Sequence, residues 1–81
     1  MTRIPFLTFG QVLTALGAFG FTALGERAGY IRVRRILPGG RAQYFSFPAE
    51  SRVEREILAR ILREAGIPVE EFLEIVRGQA R

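Results

Sequence analysis

Tyr30, Arg32 and Arg34 stand at alternate positions of one short segment, and Arg27, Arg35 and Arg41 flank them. Alternate residues of an extended strand share a face, so the phenol and two of the guanidinium groups project together. Guanidinium groups donate paired hydrogen bonds to phosphate. An aromatic ring beside them can stack on a nucleotide base. The chemistry offered by this spacing is recognition of an anion, nucleic acid above all, rather than bond making.

Composition points the same way. The chain has 81 residues, its 12 basic residues are all Arg and its 8 acidic residues are all Glu. It contains no His, Cys, Lys, Asp, Asn or Trp. His is the side chain that ordinarily titrates near neutrality. Without it, and without Cys or Lys, proton transfer at pH 7 falls to Glu or Tyr. The missing Cys also excludes disulfides and thiolate-held metals. Glu70, Glu71 and Glu74 could in principle hold a hard cation, but the first two are accounted for as acids in the first turn of a helix. No phosphate-binding loop, glycine-rich dinucleotide fingerprint or nucleophile elbow is present. Neither a cofactor nor a metal is expected.

The net charge is +4, and it is uneven. Residues 26–41 carry Arg27, Arg32, Arg34, Arg35 and Arg41 against Glu26 alone, whereas residues 50–81 carry six Arg against seven Glu. A local excess of positive charge favours anionic partners. The uncharged stretch from Ile4 to Gly25 is long enough to raise a membrane helix. Pro5, three Thr, Gln11 and four Gly within it argue for a soluble segment instead. No membrane association is expected, and the cytoplasm is the expected compartment.

The elements that must position these residues follow from periodicity. A first helix is predicted from Thr8, with Thr8 and Gln11 as a capping box. Phe9, Val12, Leu13, Leu16 and Phe19 form its apolar face, and glycines 17 and 20 end it. Three strands are predicted over Phe21–Glu26, Tyr30–Leu37 and Ala42–Phe47, with Pro38-Gly39-Gly40 as a turn. Ile31 and Val33 should face the helices and Tyr30, Arg32 and Arg34 the open side; Arg35 reads as a break in that alternation. Gln43, Phe45 and Phe47 share one face of the third strand. A second helix is predicted behind a Ser51–Glu54 capping box, with Val53, Ile57, Leu58, Ile61, Leu62 and Ala65 as its apolar stripe. Arg52, Glu56, Arg60 and Glu64 follow at four-residue steps, a pattern of intrahelical ion pairs. Gly66 ends this helix, and a short last helix should dock through Val69, Phe72, Leu73 and Val76. The fold class is α+β, one domain over residues 1–81: a two-layer α-β-β-β-α sandwich with a short C-terminal helix.

That order of elements resembles the double-stranded-RNA-binding fold, and the sequence resembles the HicA toxins of bacterial toxin–antitoxin pairs. The likeness lies in Met1-Thr2-Arg3-Ile4-Pro5 followed by Thr8, in Gly20-Phe21, in Ile61-Leu62-Arg63-Glu64-Ala65-Gly66-Ile67 and in Val69-Glu70-Glu71-Phe72-Leu73. It implies an RNA-binding domain that cleaves mRNA and is neutralised by a HicB-like antitoxin. The family carries Gly-Ser-His at the start of the second strand, and its His is taken to be catalytic. Ala28, Gly29 and Tyr30 occupy those positions here. A second family His, at the end of the third strand, is matched by Pro48 after Phe45-Ser46-Phe47.

The departure has a chemical consequence. Cleavage by the RNA's own 2′-hydroxyl needs a base for that proton and an acid for the leaving oxygen, each worth roughly 10²–10⁴ in rate. Tyr30 can donate a proton or stack, but a phenol is a poor base at neutral pH. The arginines can hold phosphate without moving a proton, and only Glu26 and Glu50 are expected near the site. The reading is therefore RNA binding through Tyr30, Arg27, Arg32, Arg34, Arg35 and Arg41, with no catalytic residue assigned and no efficient cleavage. The alternatives are a module that pairs with a HicB-like antitoxin or with a second copy of itself, and an active mRNA interferase with an acid–base set lacking His.

Overall fold

The computed structural model describes residues 3–79; Met1 and Thr2 of the opening segment lie outside the described residues. The described residues form an α+β fold with three helices and a three-stranded antiparallel sheet. In chain order these are β1 (Leu7–Thr8), α1 (Phe9–Ala18), β2 (Thr22–Arg27), β3 (Tyr30–Ile36), β4 (Ala42–Pro48), β5 (Arg52–Val53), α2 (Arg55–Ala65) and α3 (Val69–Gly78). The sheet order is β2-β3-β4, and β1 pairs with β5 in a separate two-stranded ribbon.

α1 starts as its sequence dictates. The Gln11 backbone N–H donates to Thr8 Oγ1 at 3.1 Å, and the Thr8 N–H donates to Gln11 Oε1 at 2.9 Å, which satisfies two of the free donors at the helix start. Both α1 and α2 end in the same way. Gly20 (φ 93°) and Gly66 (φ 72°) take the left-handed conformation that glycine adopts without a Cβ penalty. The Phe21 N–H then reaches back to the Leu16 carbonyl at 3.2 Å, and the Ile67 N–H to that of Leu62 at 2.9 Å.

α2 begins later than its sequence suggests. Ser51 is not its cap: the helix starts at Arg55 behind Glu54, and no side chain caps it. Leu7 pairs with Val53 and Thr8 with Arg52, and the Ser51 carbonyl accepts the Phe9 N–H at 3.1 Å. This pairing buries Leu7 and Val53, which one local capping hydrogen bond of about 1 kcal/mol does not match. Arg52 is therefore outside the helix, and of the ion pairs its spacing suggested Arg60–Glu64 is formed, at 3.6 Å. The last helix is also not the short appendage expected: α3 has 10 residues, as many as α1, and buries Phe72, Leu73 and Val76.

One core joins the layers. Ile31, Val33 and Phe47 from the sheet are buried with Val12, Ala15 and Leu16 of α1, Leu58, Ile61 and Leu62 of α2, and Phe72 of α3. Phe9 lies 5.9 Å from Phe47 and Phe19 lies 6.2 Å from Phe72, ring centre to ring centre. The helices thus occupy one side of the sheet, and the other is left uncovered.

Arg35 fastens the two layers. Register places it beside Gln43, on the side of Ile31 and Val33, so the alternation of β3 is unbroken. Its guanidinium donates to the Ala65 carbonyl at 2.8 Å, to Gln43 Oε1 at 2.6 Å and to the Phe19 carbonyl at 3.4 Å. Phe19 and Ala65 are the residues just before Gly20 and Gly66. One cation therefore meets the carbonyl ends of two helices, where the dipole favours positive charge. The group also sits 4.7 Å from the centre of the Phe21 ring.

Candidate functional site

The uncovered face is built by the alternation of β3 and extended by its neighbours. Thr22, Arg34 and Tyr44 lie in one row across the sheet, Gly25, Arg32 and Ser46 in the next, and Arg27, Tyr30 and Pro48 in the third. The face therefore combines three guanidinium groups with two phenols and has no carboxylate in any of these rows. Tyr30 is 54% and Tyr44 46% exposed, so both phenols are accessible from solvent. The Arg32 guanidinium lies over the Tyr44 ring, 4.5 Å from its centre. A cation over an aromatic face is attracted by the ring, and a guanidinium can donate paired hydrogen bonds to a phosphate.

The turn before β3 aims Tyr30. Ala28 (φ 52°) and Gly29 (φ 80°) both take positive φ, which gives the two-residue hairpin whose twist matches that of the strands. Ala28 is the one non-glycine among the described residues in this region, a conformation that costs a side-chain-bearing residue on the order of 1 kcal/mol. The Ala49 N–H donates to the Gly29 carbonyl at 2.8 Å and ties the turn to the end of β4. Tyr30 and Pro48 are thereby direct cross-strand partners.

Of the residues expected to form the site, Arg27, Tyr30, Arg32 and Arg34 come together on this face. Arg41 is exposed at the opposite end of the β3–β4 hairpin, roughly 20 Å from Tyr30 along the strand. It lengthens the basic surface rather than joining its centre. Arg35 leaves the site, because its guanidinium is engaged under the sheet. Glu26 leaves the neighbourhood as well: it is in register with Ile31 and so projects to the helix side, away from Tyr30. Tyr44 was legible as an aromatic of β4, but its place beside Arg32 and Arg34 depends on strand register.

Beside Tyr30 the face runs into an open groove of about 670 Å³ between β4 and α2. Tyr30, Ser46 and Pro48 form one wall, and Glu54, Glu56, Arg60 and Arg63 stand on the other. The carboxylates brought near Tyr30 are thus Glu54, just before α2, and Glu56 within it, while Glu50 lines a smaller hollow beyond Pro48. Among the described residues no group of three or more His, Cys, Asp or Glu is arranged to hold a metal ion. No helix among them is long and apolar enough to cross a membrane. No family model matches the chain, and neither a curated protein nor a solved structure matches it.

Proposed function

We propose that this chain is an RNA-binding protein of HicA-like, toxin–antitoxin origin, built on a double-stranded-RNA-binding-like fold and without efficient ribonuclease activity. The observation that carries the proposal is the open sheet face, where Arg27, Arg32 and Arg34 surround two exposed tyrosines with no carboxylate among them. Guanidinium groups and accessible rings on one surface suit phosphate contact combined with base stacking. The resemblance adds a second support. Tyr30 and Pro48, which occupy the two positions where the family has His, are cross-strand neighbours on this face. Tyr30 and Pro48 also both line the groove. With a phenol and an apolar pyrrolidine ring there, the neighbouring arginines can hold phosphate, but the 2′-hydroxyl has no base of the family's kind.

The test is binding and cleavage of one labelled, structured RNA across a salt series. Affinity should fall steeply as salt rises, because phosphate contacts release counterions. The double variant Arg32→Glu with Arg34→Glu should lose about tenfold or more in affinity at moderate salt while its circular dichroism stays unchanged. Undiminished affinity in that variant would remove the face from the proposal. Cleavage abolished by Tyr30→Phe would show that the chemistry persists with an acid–base set lacking His. No affinity for RNA at any salt would direct the search to a protein partner, a HicB-like antitoxin or a second copy.

A further inference from the structure

A second aromatic–guanidinium cluster lies away from the sheet face. Phe6 is 58% exposed, just before β1. The Arg55 guanidinium sits 4.1 Å from its ring centre, and that of Arg52 sits 5.8 Å away. Arg3 and Arg55 line one open depression of about 400 Å³ with Ile4, Glu56 and Ala59.

Fold stability does not explain this cluster. A large aromatic gains little by standing in water. Arg55 is the first residue of α2, where the helix dipole favours an acid over a base. Acids are close at hand: Glu56 shares the depression, and Glu50 and Glu54 line a small hollow together with Arg52. Even so, among the described residues neither Arg52 nor Arg55 forms an ion pair with any of them. Both turn to the ring instead. An exposed aromatic flanked by unpaired guanidinium groups is the arrangement that takes an unpaired base on the ring and its phosphates on the cations.

We infer that Phe6, Arg52, Arg55 and Arg3 form a second RNA contact, for a single-stranded segment that flanks the structured RNA held on the sheet face. The inference rests on the RNA-binding reading of that face. The groove and the depression share Glu56 and Ala59, so the two surfaces adjoin across α2. Between them the charge is balanced, Glu54 and Glu56 against Arg60 and Arg63, and Arg60 is already engaged by Glu64. Phosphates therefore gain at the two ends of the track and not in its middle, which makes the footprint bipartite.

The experiment compares two labelled RNAs: a blunt hairpin, and the same hairpin with unpaired extensions of about eight nucleotides at both ends. The unmodified protein should bind the extended hairpin several-fold more tightly. Arg52→Glu with Arg55→Glu should erase that advantage, leave the blunt hairpin unaffected and flatten the salt slope for the extended RNA by about 1.4, two single-strand phosphates' worth. Phe6→Ala should lose part of the advantage without changing the charge, with the circular dichroism of the folded protein unchanged. If the blunt hairpin binds and the extensions add nothing, the second contact is overturned while the sheet-face proposal survives. Equal losses on both RNAs in the Arg52/Arg55 variant would also overturn it, as a general charge effect. If neither RNA binds, both readings fail together.

Discussion

Arg34 and Arg35 are neighbours in β3, yet they belong to different parts of the molecule. Arg34 stands on the open face in the row of Thr22 and Tyr44. Arg35 points under the sheet, where its guanidinium gathers the carbonyl ends of α1 and α2. Strand geometry turns successive residues to opposite sides, and the surroundings then decide what the same side chain does. On the wet face a guanidinium is free to meet a ligand. Between the layers it replaces water as the partner of helix ends that would otherwise lose their hydrogen bonds. A count of basic residues cannot separate these two roles.

Substitutions at these positions can break or sharpen the contrast. The largest effect on stability is expected at Arg35. Arg35→Ala removes three charged hydrogen bonds and leaves the Ala65 and Phe19 carbonyls without this partner, at a cost of about 2–3 kcal/mol in chemical denaturation. Arg35→Lys should recover only part of that loss, because one ammonium cannot reproduce the planar fork that reaches both helix ends. A loss below about 0.5 kcal/mol for Arg35→Ala would mean that packing alone joins the layers. Next comes Thr8→Ala, which removes the side-chain half of the capping box at α1 and should cost about 1 kcal/mol, read from the same denaturation curves. The smallest effect is expected on the open face. Arg32→Glu with Arg34→Glu, which should damage RNA binding, is expected to change stability by less than about 0.5 kcal/mol. A larger change would show that these arginines, like Arg35, help to hold the fold.

Much of the open face was legible in the sequence. Tyr30, Ile31, Arg32, Val33 and Arg34 alternate, and an apolar pair must turn toward a core, so the polar set must turn outward. The helices were legible as apolar stripes, and the start of α1 from Thr8 and Gln11. What the sequence misled on has a common cause. Ser51 and Glu54 have the spacing of a capping box, but the segment pairs instead with Leu7–Thr8, more than forty positions away. Arg52 fits a ladder of helical ion pairs, but its guanidinium goes to Phe6. Arg35 looked like a lapse in alternation because an arginine on the inner side makes sense only when helix ends wait for it there.

The sequence by itself determined the α+β class, the order of the helices and main strands, and the side of β3 on which Tyr30, Arg32 and Arg34 stand. These are matters of period and local backbone preference, written in residues close together along the chain. The tertiary structure alone decided that β1 and β5 pair, that Tyr30 and Pro48 meet, that Arg35 bridges two helix ends, and that Arg52 and Arg55 gather at Phe6. Long side chains and short strands take their partners from whatever packing brings near. That choice is made by the burial of a shared core, and no local pattern records it.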